Sequence, residues 1–457
     1  MKNFLTKFLI VLILCFSVSQ IHCGSSSSST SGTDQVSIPA PVTHLSISTP
    51  DASGLVRVTA EAGFADSSSL VILTVNPATS SSLLQKLFFD VAYASSLAAT
   101  VTTDDTGAFQ TTIAATAADT ITVNYLKDGE EIEETTDVPD NQQPLPATTD
   151  LMDFALDSTT SQAYIVAHND SDGLLYVIDL ATASVTNTIT LTGATGASRV
   201  DVHTSAGEIV AIDTSNSMAY VVDADTEEVS NASIVPSPDL ATVKGSNGFA
   251  LIAHSTNLSA ISLFDIDSLS AFATLEPTTD SDEAHETAFF IATDTDPSGN
   301  DVFAFISQMA DDNYYVIGGN VPSFTMLAQT SITQVSVTNP GEITLFNNGT
   351  EALVTDRDSD TVLRVDLTTE TVSATIEVGD DPRGVIVNAE EDKAYVVNSS
   401  DRTVSTITLS DNSVSTSDVI LGLAPTEIIL DPTGAISTIG VLNTGDESIT
   451  LLEPSDL

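Results

Sequence analysis

The feature that most constrains this chain is a repeat of ~42 residues. Three stretches can be laid over one another, starting at Pro340 (PGEITLFNNGTEALVTDRDSDTVLRVDLTTETVSATIEVG), Pro382 (PRGVIVNAEEDKAYVVNSSDRTVSTITLSDNSV) and Ala424 (APTEIILDPTGAISTIGVLNTGDESITLLEP). Each reads as an inner strand, a turn, a second strand ending in a polar residue, a turn and a third strand. The first two continue into a fourth strand. One such sheet cannot bury both of its faces, whereas a circle of them can, and the period is that of a propeller blade. Earlier blades follow from Ala163-Tyr164-Ile165-Val166, Tyr220-Val221-Val222-Asp223 and Ile261 to Asp265. The expected bounds are 151–197, 198–237, 238–283, 284–339, 340–380, 381–422 and 423–457, making seven. The stretch 284–339 is the longest and most divergent, and dividing it differently gives six or eight. The last blade supplies three strands, which would leave an open sheet edge. Residues near 143–150 are therefore expected to add its outer strand.

The residues from Pro382 to Ile407 resemble the YVTN-type β-propeller repeat, "P-x-G-V-x-V … A-Y-V-x-N-x-x-D-x-T-V-S-V-I-D". The matches are Pro382, Gly384, Val385, Val387, Ala394, Tyr395, Val396, Asn398, Asp401, Thr403, Val404, Ser405 and Ile407. The blade from Pro340 matches at Ala352, Val354, Asp360, Thr361, Val362, Val365 and Asp366, with Asp356 where the consensus has Asn. Propellers similar to these include lactonases, and quinone-dependent dehydrogenases share the architecture.

Residues 36–139 alternate apolar and polar side chains in short runs: LVRVTA from Leu55, LVILTV from Leu70, FQTTI from Phe109 and TITVNY from Thr120. Turn signals separate them, a pattern expected of a β-sandwich. The stretch DDTGAFQTTIAATAADTITVNYLKDGE resembles the closing strands of bacterial immunoglobulin-like domains. Ser82 to Ala98 interrupts the pattern, and Leu83, Leu84, Leu87, Phe88 and Val91 would share one helical face. Residues 140–148 (DNQQPLPAT) read as a Pro-containing linker to a propeller spanning 149–457. The expected fold class is all-β, an immunoglobulin-like sandwich followed by a seven-bladed propeller.

The chain opens with Lys2, Lys7 and an apolar run from Phe8 to Val18, too short to span a bilayer and suited to a signal peptide over 1–22. Cys23, followed by a Ser/Gly-rich tether over 23–35, resembles the lipidated cysteine of bacterial lipoproteins. The preceding Gln20, Ile21 and His22 depart from that family's pattern, so ordinary cleavage nearby, leaving a free thiol, is the alternative. The resemblance implies export and a lipid anchor as the route to the membrane. Cys15 lies within the signal, so Cys23 has no intramolecular partner.

Asp and Glu number 63 against 12 Lys and Arg, a formal net charge of −51. Such a surface repels nucleic acid. Two cysteines and no CxxC exclude c-type haem, iron–sulfur and zinc-thiolate sites. GxSxG, P-loop and HExxH motifs are missing, and His168, His203, His254 and His285 fall in four different blades.

The polar residue ending the second strand recurs as Asp213, His254, Ser307, Asp356, Asn398 and Asn443. Blade symmetry puts these residues around one face of the propeller, and in similar propellers that face often carries the ligand. Asp213, His254, Asp356, Asn398 and Asn443 are therefore the candidate ligand-binding set. Asn and Asp also cap their own turns, which is the competing explanation. Asp294, Asp296 and Asp301 open like a calcium loop but meet Phe305 where a bidentate Glu belongs. Asp358 and Asp360 form a second acidic group. Calcium is thus the one cofactor these turns suggest, and solvated turns explain the same residues. The expected function is an envelope binding or scaffold module for a protein or polysaccharide. The alternatives are a propeller enzyme (lactonase-like hydrolase or quinone-dependent dehydrogenase-like) and an adhesion or surface-layer role.

Overall fold

The structure, a computed structural model, describes residues 45–50, 55–76, 96–115, 119–138, 142–145 and 150–457, the last apart from 158, 170, 181–183, 204–206, 235–242, 247–248, 254–260, 276–284, 299–300, 310–313, 321–324, 332–336, 338, 418 and 432–437. The expected signal peptide and tether, Cys23, the expected amphipathic stretch over 83–91 and His254 lie outside the described residues.

The N-terminal strands are β1 (Leu45–Ile47), β2 (Leu55–Ala60), β3 (Leu70–Asn76), β4 (Ser96–Thr102), β5 (Phe109–Ala114), β6 (Thr120–Lys127) and β7 (Glu130–Asp137). They form two sheets, ordered β1-β2-β5 and β4-β3-β6-β7. The alternation seen in sequence becomes facing: β6 buries Ile121, Val123 and Tyr125 and turns Thr120, Thr122 and Asn124 outward. Those side chains meet Val56, Val58, Val71 and Leu73 in one core. Phe64 closes it, 5.8 Å edge-on from Phe109 and 4.1 Å from Tyr125 between ring centroids. Each such buried side chain contributes about 1.5–3 kcal/mol of transfer free energy.

The remaining strands make seven four-stranded antiparallel sheets among the described residues. These are blades 1 to 7. Their inner strands are Asp150–Asp157, Ala197–His203, Val243–Ser246, His285–Thr295, Pro340–Phe346, Pro382–Val387 and Pro425–Ile429. Polarity grades outward along each blade. The second strands Glu351–Asp356 and Lys393–Asn398 are buried at every residue but the first, because neighbouring blades cover both of their faces. The outer strand Thr371–Glu377 instead alternates exposed residues with half-buried ones and one buried residue, Ile376. Separate apolar clusters weld successive blades: Phe346 and Leu353 with Val385 and Val396 between blades 5 and 6, and Tyr395 and Val397 with Ile428 and Val441 between blades 6 and 7. Phe154 and Ile165 meet Ile429 and Leu442, so blade 7 packs on blade 1.

The ring closes through β8 (Gln142–Pro144), the outer strand of blade 7. It pairs antiparallel with Ser448–Leu452, Pro144 opposite Ser448 and Gln142 opposite Thr450. Part of the apparent linker is thus a structural strand. The turn between second and third strands shows a further regularity. Its fourth residue after the terminal Asp or Asn is left-handed in several blades, at Ser217 (φ 54°), Asp360 (φ 55°), Arg402 (φ 58°) and Glu447 (φ 53°). None is glycine, so composition conceals this repeat.

Candidate functional site

The polar ring at the ends of the second strands lies inside the protein where it is described. Asp213, Asn398 and Asn443 are fully buried and Asp356 is 1% exposed. Each Asn side-chain NH2 donates within its own blade. The Asn398 amide donates to Thr403 Oγ1 (3.0 Å) and Ser405 Oγ (2.9 Å), and its oxygen accepts from the Gly379 N–H (3.1 Å). Asn443 donates likewise to Ser448 Oγ (3.0 Å) and Thr450 Oγ1 (2.9 Å). Asp213 accepts from the Asn216 backbone (3.1 Å) and side-chain (2.7 Å) nitrogens. A ligand reaching the Asn398 amide or the Asp213 carboxylate would have to displace these hydrogen bonds, whereas Asp356 Oδ1 and Asn443 Oδ1 are buried without a hydrogen-bond partner among the described residues. The signal for this arrangement is a glycine three residues before the proline that opens the inner strand. A Cβ on Gly379 or Gly422 would sit 2.5 Å from Cγ of Asn398 or Asn443. Blade 5 has Val337 at that place and Asp356 in place of Asn.

The acidic turns fall on opposite faces, because one group is in a hairpin between first and second strands and the other between second and third. In blade 4, Asp294 accepts from the Thr295 N–H (2.7 Å), Asp296 accepts from the Ser298 N–H (2.8 Å), and Asp301 pairs with Thr295 across the hairpin. In blade 5, Asp358 accepts from Asn339 Nδ2 (3.1 Å) and Asp360 from the Asp381 N–H (3.1 Å). Asp381 is clamped between Arg357 (2.8 Å) and Arg383 (3.0 Å). Desolvation by its neighbours, reinforced by a side-chain hydrogen bond to Asp360 and the charges of Asp360, Asp401 and Asp381, pushes the exposed Asp380 carboxyl up. Among the described residues no three His, Cys, Asp or Glu side chains converge as a metal set.

The same face holds a junction that the sequence did not announce. Sandwich and propeller meet at the second-to-third-strand turns of blades 6 and 7, around the buried Asp446 carboxylate. One of its oxygens accepts from Ser46 Oγ of β1 and from Gln142 Nε2 of β8 (2.6 Å), and the other from Ser448 Oγ (2.7 Å). Burial pushes its pKa up; the Ser46, Ser448 and Leu423 hydrogen bonds and the Arg402 charge work in the opposite direction. Arg402, also buried, donates to Leu45 O (2.8 Å) in the sandwich and to Leu421 O (2.6 Å) in the propeller. Arg57 of β2 reaches Asp446 O (3.1 Å), Glu447 O (3.2 Å) and Leu145 O. Thr49 N–H donates to Gln142 O (2.5 Å), joining the sandwich to β8.

The inner strands enclose a cavity of about 460 Å³ along the propeller axis. Its wall carries Asp153, Asp201, Asp294, Glu342, Glu391 and Glu427, with Arg199. Part of this acidity has a structural cause. The inner strand is a sheet edge whose N–H groups need acceptors. Asp153 accepts from Val200 N–H of the next blade (2.8 Å), and Glu342 does the same for Val385 N–H (3.2 Å). Arg199 holds the corresponding place in blade 2, one residue before the buried Val200, and can only donate. Its Nη1 faces Ser198 O (3.1 Å) and Met152 O (3.5 Å).

No family model matches the sequence, and no curated protein matches it. Among solved structures, a chain of the Kuenenia stuttgartiensis hydrazine synthase is similar in fold, with a TM-score of 0.56 and 12% sequence identity, covering 68% of this chain and 97% of that one. At that identity the likeness shows the fold alone.

Proposed function

We propose that this chain is a binding or scaffold module of the bacterial cell envelope, in which a YVTN-type propeller presents a face to a protein or polysaccharide partner. The observation that carries the reading is the junction around Asp446. Three sandwich residues, Ser46, Leu45 and Arg57, bond to the turns of blades 6 and 7, and β8 belongs to the last blade while touching the sandwich. A spacer that only kept the propeller away from a surface would need no such contacts. This one fixes the direction in which the propeller faces, as a presenting module requires. The immunoglobulin-like reading of the sandwich and lipidation at Cys23 complete the proposal, giving a tethered body at the envelope.

The test is retention of envelope material. The mature protein, residues 24–457, is immobilised and exposed to solubilised envelope, with calcium and separately with chelator. A specific partner retained under both conditions is the expected result. Loss in chelator would assign calcium to the turns at Asp294, Asp296 and Asp301 or at Asp358 and Asp360. Saturable binding to no envelope fraction would overturn the reading.

A further inference from the structure

The cavity on the propeller axis holds a charge arrangement that edge capping explains only in part. The chain carries 12 Lys and Arg against 63 Asp and Glu, yet Arg199 stands on a wall of carboxylates without an ion pair among the described residues. Its Nη1 alone is engaged, by carbonyl oxygens. Nε and Nη2 have no hydrogen-bond partner among the described residues, and together they form the guanidinium edge that suits a carboxylate. Asp201 shares the face of the same strand, two residues on. Asp153, Glu342 and Glu427 occupy the place of Arg199 in blades 1, 5 and 7, each one residue before a buried apolar side chain (Phe154, Ile343 and Ile428). One guanidinium therefore lies at the depth of three carboxylates around one axis.

We infer that this cavity binds a small cationic aminocarboxylate, its carboxylate on Arg199 and its ammonium groups among Asp201, Glu342 and Glu427. A simple anion would meet the excess of carboxylates. A simple polyamine would leave the guanidinium edge without an acceptor. A molecule with one carboxylate and two ammonium groups meets both demands, and about 460 Å³ is ample for one of amino-acid size. The inference goes beyond the envelope-presenting role and does not depend on it.

The probes are L-lysine, cadaverine, which is the same diamine without the carboxylate, and glutarate, titrated calorimetrically into the whole mature chain. L-Lysine is expected to bind saturably at one site. Cadaverine is expected about tenfold more weakly and glutarate not measurably, because loss of the Arg–carboxylate fork removes a charge-assisted pair. In Arg199→Gln, lysine should lose its advantage over cadaverine, whose own binding should hold or strengthen because a like charge has been removed. Glu342→Gln and Asp201→Asn should weaken both amines. Circular dichroism and thermal melting confirm that each variant is folded. Because Glu342 also caps Val385, Asp201→Asn is the variant that keeps the acidic half testable should Glu342→Gln unfold. Equal affinity for lysine and cadaverine, insensitivity to Arg199→Gln, or no saturable binding by any probe would each overturn the inference. None of these results bears on retention of envelope partners.

Discussion

Asp401 and Asp446 occupy the same place in successive blades, yet Asp401 is exposed and Asp446 is buried. Each accepts a backbone N–H from the residue two before the proline of its own inner strand: Asp380 at 2.8 Å for Asp401, and Leu423 for Asp446. The difference is what lies above. The sandwich covers blade 7 and has recruited a repeat residue as the centre of its junction. Asp446→Ala would remove the acceptor that Gln142, Ser46 and Ser448 share, at a cost of about 2–4 kcal/mol, whereas Asp401→Ala should cost under about 1 kcal/mol. Urea unfolding of the two variants side by side measures the contrast.

The pH dependence of this junction has a defined sign. The folded pKa of Asp446 is raised from its ordinary value of 3.8. Between the unfolded and folded values the native state binds more protons, so this group's contribution to stability is greatest at low pH and declines as pH rises through that window. Asp446→Asn cannot titrate. Relative to the parent it should gain stability as pH is raised from about 4, and hold a constant offset above the folded value. Melting temperatures of both proteins between pH 3.5 and 8 show whether the gap moves in that direction.

Gly379→Ala and Gly422→Ala are expected to destabilise by about 2 kcal/mol or more, because the new methyl would overlap a buried amide. The Asn is the obstacle, so Gly379→Ala added to Asn398→Ala should cost less than the sum of the two changes. A double-mutant cycle measures the coupling. A sum that is simply additive would mean that the amide and the glycine do not constrain each other.

A net charge of −51 makes self-repulsion a general term in stability. Raising sodium chloride from about 0.05 to 1 M should raise the melting temperature steadily, as the screening length shrinks from over 10 Å to about 3 Å. A flat or falling curve would show that the carboxylates are already compensated locally.

The propeller was legible because its repeat is written in contiguous residues: strands such as Lys393–Asn398 and Glu351–Asp356 carry a short apolar centre (Ala394 to Val397, Ala352 to Val354) between polar ends, with turn residues at fixed offsets. The closing strand was legible as a deficit, since three strands in the last blade called for a fourth. The junction was not. Ser46, Gln142 and Asp446 are ordinary polar residues separated by as many as 400 positions, and nothing local distinguishes Asp446 from Asp401. The candidate ring was located by symmetry, but symmetry gives position and not exposure, and Asn398 and Asn443 turn inward to their own hydroxyl partners. Arg199 carried no signal as a site residue either. Its meaning comes from the carboxylates that other blades bring to the same depth.

The pairing of β8 with Ser448–Leu452 also has a consequence for biosynthesis. Gln142 must wait for Asp446, 304 residues later in the chain, before the hydrogen bond between them can form. At about 5–20 residues per second of translation, that interval is about 15–60 s during which the nascent chain cannot assume its final circular form. A product interrupted within it would expose unpaired strand edges at both ends of the incomplete circle. Ring closure is therefore open only to a chain that has reached the strand Ser448–Leu452, and any shorter product keeps an unpaired sheet edge.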